Sequence, residues 1–105
     1  MKDIVVTKLT SYKMYFKVNG KNFMIIDVDE EYESAIRLYT RKFRDDGRYE
    51  LKCIGEKGYM STLDFVRLCD VGKAYKHYNV DLIKEKLMLC GFWDKIEGQL
   101  KLEEE

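Results

Sequence analysis

Two apolar-rich segments, Tyr12 to Val18 and Lys21 to Asp27, flank Asn19-Gly20, and in them Met14, Phe16, Val18, Phe23 and Ile25 recur at every second position, while the positions between are mixed. A period of two is the signature of a strand with one face buried. Asn-Gly accepts the positive φ angles of a type I′ turn, whose twist suits two antiparallel strands. A two-residue loop there pairs Val18 with Lys21, Phe16 with Phe23 and Met14 with Ile25, so the apolar partners share one face. Lys13, Tyr15 and Lys17 fall on the other face, opposite Ile26, Met24 and Asn22. The chain is therefore expected to open with a β-hairpin over about 12–27.

Residues 29–43 carry two patterns at once. Tyr32, Ala35, Ile36, Tyr39 and Phe43 recur at helical spacing. Glu30, Glu31 and Glu33 would lie in the first turns and Arg41, Lys42 and Arg44 in the last, the order the helix dipole favours. Asp29 would be the N-cap. Read instead as a strand, the segment turns Ile36, Leu38 and Thr40 inward and Arg37, Tyr39, Arg41 and Phe43 outward. A hairpin through Arg44-Asp45-Asp46-Gly47 would then pair Arg41 with Glu50. The helix uses the acidic start that the strand leaves idle, and is the preferred reading.

Arg48 to Ile54 alternates as a strand under either choice. Gly55-Glu56-Lys57-Gly58 reads as a turn. Ser61 or Thr62 then caps a helix to about Cys69, in which Leu63, Phe65, Val66 and Leu68 predict a central place in the core. Asn79 caps a second helix from Val80 to about Cys90, with Val80, Ile83, Leu87 and Cys90 on one stripe and Gly91 closing it. Phe92 and Trp93 anchor the C-terminal segment, in which Ile96, Leu100 and Leu102 suit either a short helix or an edge strand. The expectation is a single α+β domain over 1–105: a small antiparallel β-sheet with two to three helices packed on one face. The acidic tail 103–105 is expected to fray.

Composition narrows the choice of function. Nineteen basic residues balance nineteen acidic ones, which removes overall basicity as an argument for nucleic acid. The 46% hydrophobic and 13% aromatic content supports a packed core rather than disorder. The apolar run Ile4-Val5-Val6 is too short for a signal core or a membrane span, so a cytoplasmic protein without a membrane partner is expected. Cys53, Cys69 and Cys90 are too widely spaced for a zinc pair, and their neighbourhoods predict buried free thiols.

Candidate chemistry is sparse. His77, the single histidine, has no nucleophile or orienting carboxylate near it in sequence. Asp27-Val28-Asp29-Glu30-Glu31 resembles the start of a calcium loop, but its sixth position is Tyr32, where the sharp turn needs glycine. Gly55 and Gly58 flank an acidic residue that would repel phosphate. No catalytic residue, metal ligand or cofactor is assigned and the chain is not expected to be an enzyme; the least favoured alternative is a small enzyme with an unfamiliar site around His77 and the acids from Asp27 to Glu31.

A basic-aromatic constellation is the strongest feature. Arg37, Tyr39, Arg41, Arg44 and Arg48 lie in one segment, with Lys42 and Phe43 among them, and Lys13, Tyr15 and Lys17 form a second stripe. Tyrosine and arginine are the usual anchors of protein interfaces. The expected function is a non-enzymatic protein-interaction module. Abundant Lys, Tyr and Ile, together with the small size, suggest a phage or mobile-element protein that binds and inhibits a host defence or nucleic-acid-processing complex. The alternative is a nucleic-acid-binding domain using the same face, in which arginines meet phosphates and rings stack on bases. A second copy of the chain is a further candidate partner.

Overall fold

A computed structural model describes residues 3–30, 33–69, 71 and 78–104. Five strands form one antiparallel sheet in sequence order: β1 Ile4–Leu9, β2 Lys13–Val18, β3 Lys21–Glu30, β4 Glu33–Phe43 and β5 Tyr49–Gly58. Beyond them the described residues form three helices, α1 Thr62–Leu68, α2 Val80–Leu89 and α3 Trp93–Glu104. The α+β class, the antiparallel sheet and the helices on one face are as the hydrophobic pattern predicts.

The hairpin at Asn19-Gly20 forms β2 and β3 with the expected register, Phe16 opposite Phe23 and Met14 opposite Ile25. Asn19 and Gly20 take φ of 51° and 83°, the left-handed values a type I′ turn needs. It does not open the fold, however. Ile4-Val5-Val6 begins an earlier strand, β1, which pairs antiparallel with β2. A bulge at Thr7 lets Ile4 and Val6, and then Leu9, all reach the inner face although their spacing is not strictly two.

The helix preferred for 29–43 does not exist. Asp29 and Glu30 end β3, and Glu33 to Phe43 is β4, paired with β3 through Ile25–Leu38 and Asp27–Ile36. Ile36, Leu38 and Thr40 point inward and are buried, as the strand reading required. Local helix charge order is worth only tenths of a kcal/mol per pair. A central strand with paired neighbours on both sides outweighs it.

Two further expectations shift. The β4–β5 turn places Glu50 opposite Lys42, one residue from the register expected, and Arg41 opposite Leu51. Gly55-Glu56-Lys57-Gly58 is not a turn but the second half of β5. An extra residue, Ile54, is inserted there, so that Leu38 pairs with Gly55 while Tyr39 pairs with Cys53. This bulge brings Glu56 opposite Arg37 on the outer face. At Gly55 the ring of Phe92 comes within 3.1 Å of where a Cβ would stand, so the absence of a side chain admits the Phe92 that roofs it.

The helices complete the core. Ser61 caps α1 in a full capping box with Asp64, and Asn79 caps α2 by accepting from the Leu82 amide. Gly91, at φ 77°, lies just past the last turn of α2. Phe65, Val66, Ile83, Leu87, Phe92, Trp93, Ile96 and Leu100 close over Met14, Phe16, Val18, Phe23, Ile25, Ile36 and Leu38. Leu63 and Leu68 are about half exposed, so α1 buries one stripe rather than most of its surface. The Thr62 amide donates to the Asp27 carboxylate and its hydroxyl donates to the Tyr12 carbonyl, pinning the start of α1 to β2 and β3. The C-terminal segment is a helix, and α3 runs through Glu103 and Glu104.

Candidate interaction surface

Because the helices cover one side of the sheet, the alternate residues of every strand face away from them. Three rows cross that open face. Lys13 lies beside Ile26, Ile26 beside Arg37, and Arg37 beside Glu56. Tyr15, Met24, Tyr39 and Cys53 form the next row. Lys17 with Asn22, and Arg41 with Leu51, form the third. Six of the eight residues that the sequence marks as candidates, Lys13, Tyr15, Lys17, Arg37, Tyr39 and Arg41, thus share one surface. The strand at 33–43 unites them, since a helix would have scattered Arg37, Tyr39 and Arg41 around its axis. Arg44 and Arg48 are exposed at the β4–β5 turn, where the Arg44 amide donates to the Arg48 carbonyl at 2.7 Å. Lys42 points to the opposite face, beside Glu50.

The centre of this surface is already organised. The Arg41 guanidinium carbon lies 4.4 Å from the Tyr15 ring centre and 4.3 Å from that of Tyr49. Arg41 stands on β4, whereas the rings come from β2 and β5, so its cation bridges them across the sheet. Each contact of this kind is worth about 0.5–1 kcal/mol at an exposed site. Phe43 packs edge-on against Tyr49 at 5.3 Å. The Arg37 Nε donates to Glu56 at 2.9 Å, and this bond, with a further one that the guanidinium donates to the Tyr39 oxygen, holds the guanidinium charged well above its ordinary range. Met24 is 4% exposed despite facing outward, flanked by Tyr15 and Tyr39. Phe43, Tyr49 and Leu51 by contrast remain 48–63% exposed.

Met24 lies on this surface as the hairpin register predicts, whereas Tyr49, Leu51 and Glu56 belong to it without being marked by the sequence. The alternation of Arg48 to Ile54 does signal Tyr49 and Leu51 as neighbours on one face. Which face they share with β4 depends on a one-residue register.

The remaining candidates separate from it. Asp27 is engaged by Thr62 and so serves to anchor α1. Asp29 and Glu30 lie in a strand rather than at a helix start. His77 and the rest of 72–77 lie outside the described residues, as does Glu31. Cys69 is buried and Cys90 half-buried, but Cys53 is exposed, contrary to the expectation of three buried thiols. Burial pushes the Cys69 thiol up to about 12, with the neighbouring Cys90 adding to the shift. Burial also raises Cys90, against the opposing pull of Lys57 and Lys86.

Among the described residues no helix is long and apolar enough to cross a membrane. Compared with known protein families, curated proteins and solved structures, the chain matches none.

Proposed function

We propose that the chain is a protein-interaction module whose open sheet face docks a partner carrying acidic groups around an apolar centre. The carrying observation is Arg41, held between Tyr15 and Tyr49 with Phe43 and Leu51 exposed beside it. Ordered aromatics around a positioned arginine lose little side-chain entropy on binding, which is what interface anchors need. Lys13, Lys17, Arg37 and Arg41 face a single carboxylate, Glu56, in these rows, so the complementary surface is acidic. The same observation weighs against single-stranded nucleic acid: one face of each of Tyr15 and Tyr49 is covered by Arg41 and is withdrawn from base stacking.

In its biological form we propose that this is a phage or mobile-element protein. It would inhibit a host defence or nucleic-acid-processing complex by covering one of its surfaces. A preformed face acts by occlusion and requires no reacting group.

The test compares Arg41→Glu with Glu85→Lys, an exposed change on α2, in quantitative capture from host lysate followed by titration of the captured protein. Loss of an anchor of this kind costs about 2 kcal/mol or more, roughly 30-fold in affinity. A partner released by Arg41→Glu and kept by Glu85→Lys supports the reading. Equal capture by both variants overturns it, as does salt-dependent binding of short RNA lost with Arg41→Glu.

A further inference from the structure

The two edges of the sheet are not alike. At β1, the outward Val6 amide donates to the Tyr78 hydroxyl at 2.9 Å, and that hydroxyl donates to the Ile4 carbonyl at 3.4 Å. A side chain thus occupies the hydrogen-bonding positions that another strand would use, a common way of blunting an edge. At β5 the turn bond from the Arg44 amide to the Arg48 carbonyl sets the ladder. Alternate pairs are bonded beyond it, so Glu50 and Lys52 bond inward to β4 while the peptide groups of Tyr49 and Leu51 point outward. Among the described residues none bonds to those outward groups.

The sequence along this edge is Tyr49-Glu50-Leu51-Lys52-Cys53, and its charges invert about Leu51. We infer that β5 pairs antiparallel with β5 of a second copy about a two-fold axis at Leu51, joining two sheets into one. In that register Glu50 of one copy stands opposite the partner's Lys52, and Lys52 opposite the partner's Glu50. Both fall in non-hydrogen-bonded pairs, where side chains lie closest, and opposite charges there stabilise the pairing. Within its own sheet Lys52 stands beside Thr40, which offers no charge. Lys52 and Glu50 line a cleft of about 450 Å³ with Lys21 and Lys42, and the partner's Glu50 would add a carboxylate to this basic rim.

On the open face the same axis brings Leu51 against the partner's Leu51 and Tyr49 against the partner's Cys53. The half-exposed Tyr49 and Leu51 would thereby be covered. One point of contact is self-complementary, as a two-fold interface must be. A short strand pair buries less than a standard interface, so the dimer dissociates in the micromolar range or above. The pairing shares Tyr49 and Leu51 with the face around Arg41, but it is carried by the edge peptide groups and by Glu50 and Lys52, which point to the other face. E50K and K52E therefore test it apart from whatever docks around Arg41.

The test is sedimentation equilibrium of the full chain from micromolar to millimolar concentration, with E50K, K52E and their equimolar mixture. Wild type should dimerise with concentration. Each variant alone places like charges opposite each other and should dimerise at least tenfold more weakly, while the mixture restores both attractive pairs and recovers the dimer. In a Cys53→Ser background, L51C should cross-link to itself on mild oxidation. Circular dichroism confirms that each variant is folded. A wild type that stays monomeric throughout overturns the proposal, and so does a mixture no more associated than its components.

Discussion

Replacing Tyr78 by Phe removes one oxygen atom from a ring that packs against the core. That oxygen accepts the Val6 amide at 2.9 Å, near the optimum for such a bond, and donates to the Ile4 carbonyl at 3.4 Å, where little energy is left. The magnitude therefore comes mainly from the amide. A part-buried donor left without a partner costs about 1–3 kcal/mol, and the position of Val6 on an edge strand lets water recover some of that. The expected loss is about 1–2 kcal/mol, which lowers the Tm by roughly 5–10 °C for a domain of this size. Calorimetry measures the first quantity. Native-state hydrogen exchange localises it, because the Val6 amide should exchange about tenfold faster or more while amides of β3 and β4 do not change. Tyr12→Phe, on a half-exposed ring, serves as the control and should be nearly silent. An unchanged Tm with a still-protected Val6 amide would mean that the edge of β1 does not depend on Tyr78.

Gly55→Ala forces a Cβ to within 3.1 Å of the buried Phe92 ring, so it should destabilise the fold by about 1–3 kcal/mol in urea titration. Gly58→Ala, with open space at its Cβ position, should cost less. Ser61→Ala and Asn79→Ala each remove an N-cap acceptor and should cost about 1 kcal/mol apiece, additively because they serve separate helices. With the Cys69 thiol raised to about 12 from an ordinary value of 9.0, the folded state holds its proton more tightly than the unfolded chain. That contribution is fully present below pH 9 and is lost as pH rises toward 12. A urea midpoint falling over that window should flatten in Cys69→Ala, and a thiol reagent at neutral pH should label exposed Cys53 first.

Features set by adjacent residues are legible in the chain. Asn19-Gly20 specifies its turn and, through it, every pair from Val18–Lys21 to Met14–Ile25. Ser61, Asn79 and Gly91 mark helix ends by chemistry that operates within a few residues. Segments whose state depends on distant neighbours are not legible. Residues 29–43 fit a helical pattern slightly better than an extended one, and only the neighbours β3 and β5 reverse that preference over Glu33–Phe43. The bulge at Thr7 changes the parity of its strand without any turn residue to announce it, and the bulge at Ile54 is marked only by the Gly55 beside it, which reads equally as a turn. At Gly55 and Gly58 the glycines that suggest a turn instead admit Phe92 and end the strand. Most of the basic-aromatic surface can be read from the chain because its residues alternate, and alternation survives an error in the element assigned to them. Tyr49 and Leu51 escape that reading because their place beside Arg41 rests on a single step of register.

The order of the strands in space is also their order along the chain, and among the described residues every helix comes after the last strand. Each strand can therefore pair as soon as it leaves the ribosome, with short loops closing at little entropic cost. The face that carries Phe16, Phe23, Ile25, Ile36 and Leu38 is assembled before Phe65, Leu87 and Phe92, which will cover it, have been made. For the time taken to synthesise the C-terminal half, a nascent chain displays an unroofed apolar sheet. Its safe production depends on translation rate and on chaperones as much as on the stability of the finished fold.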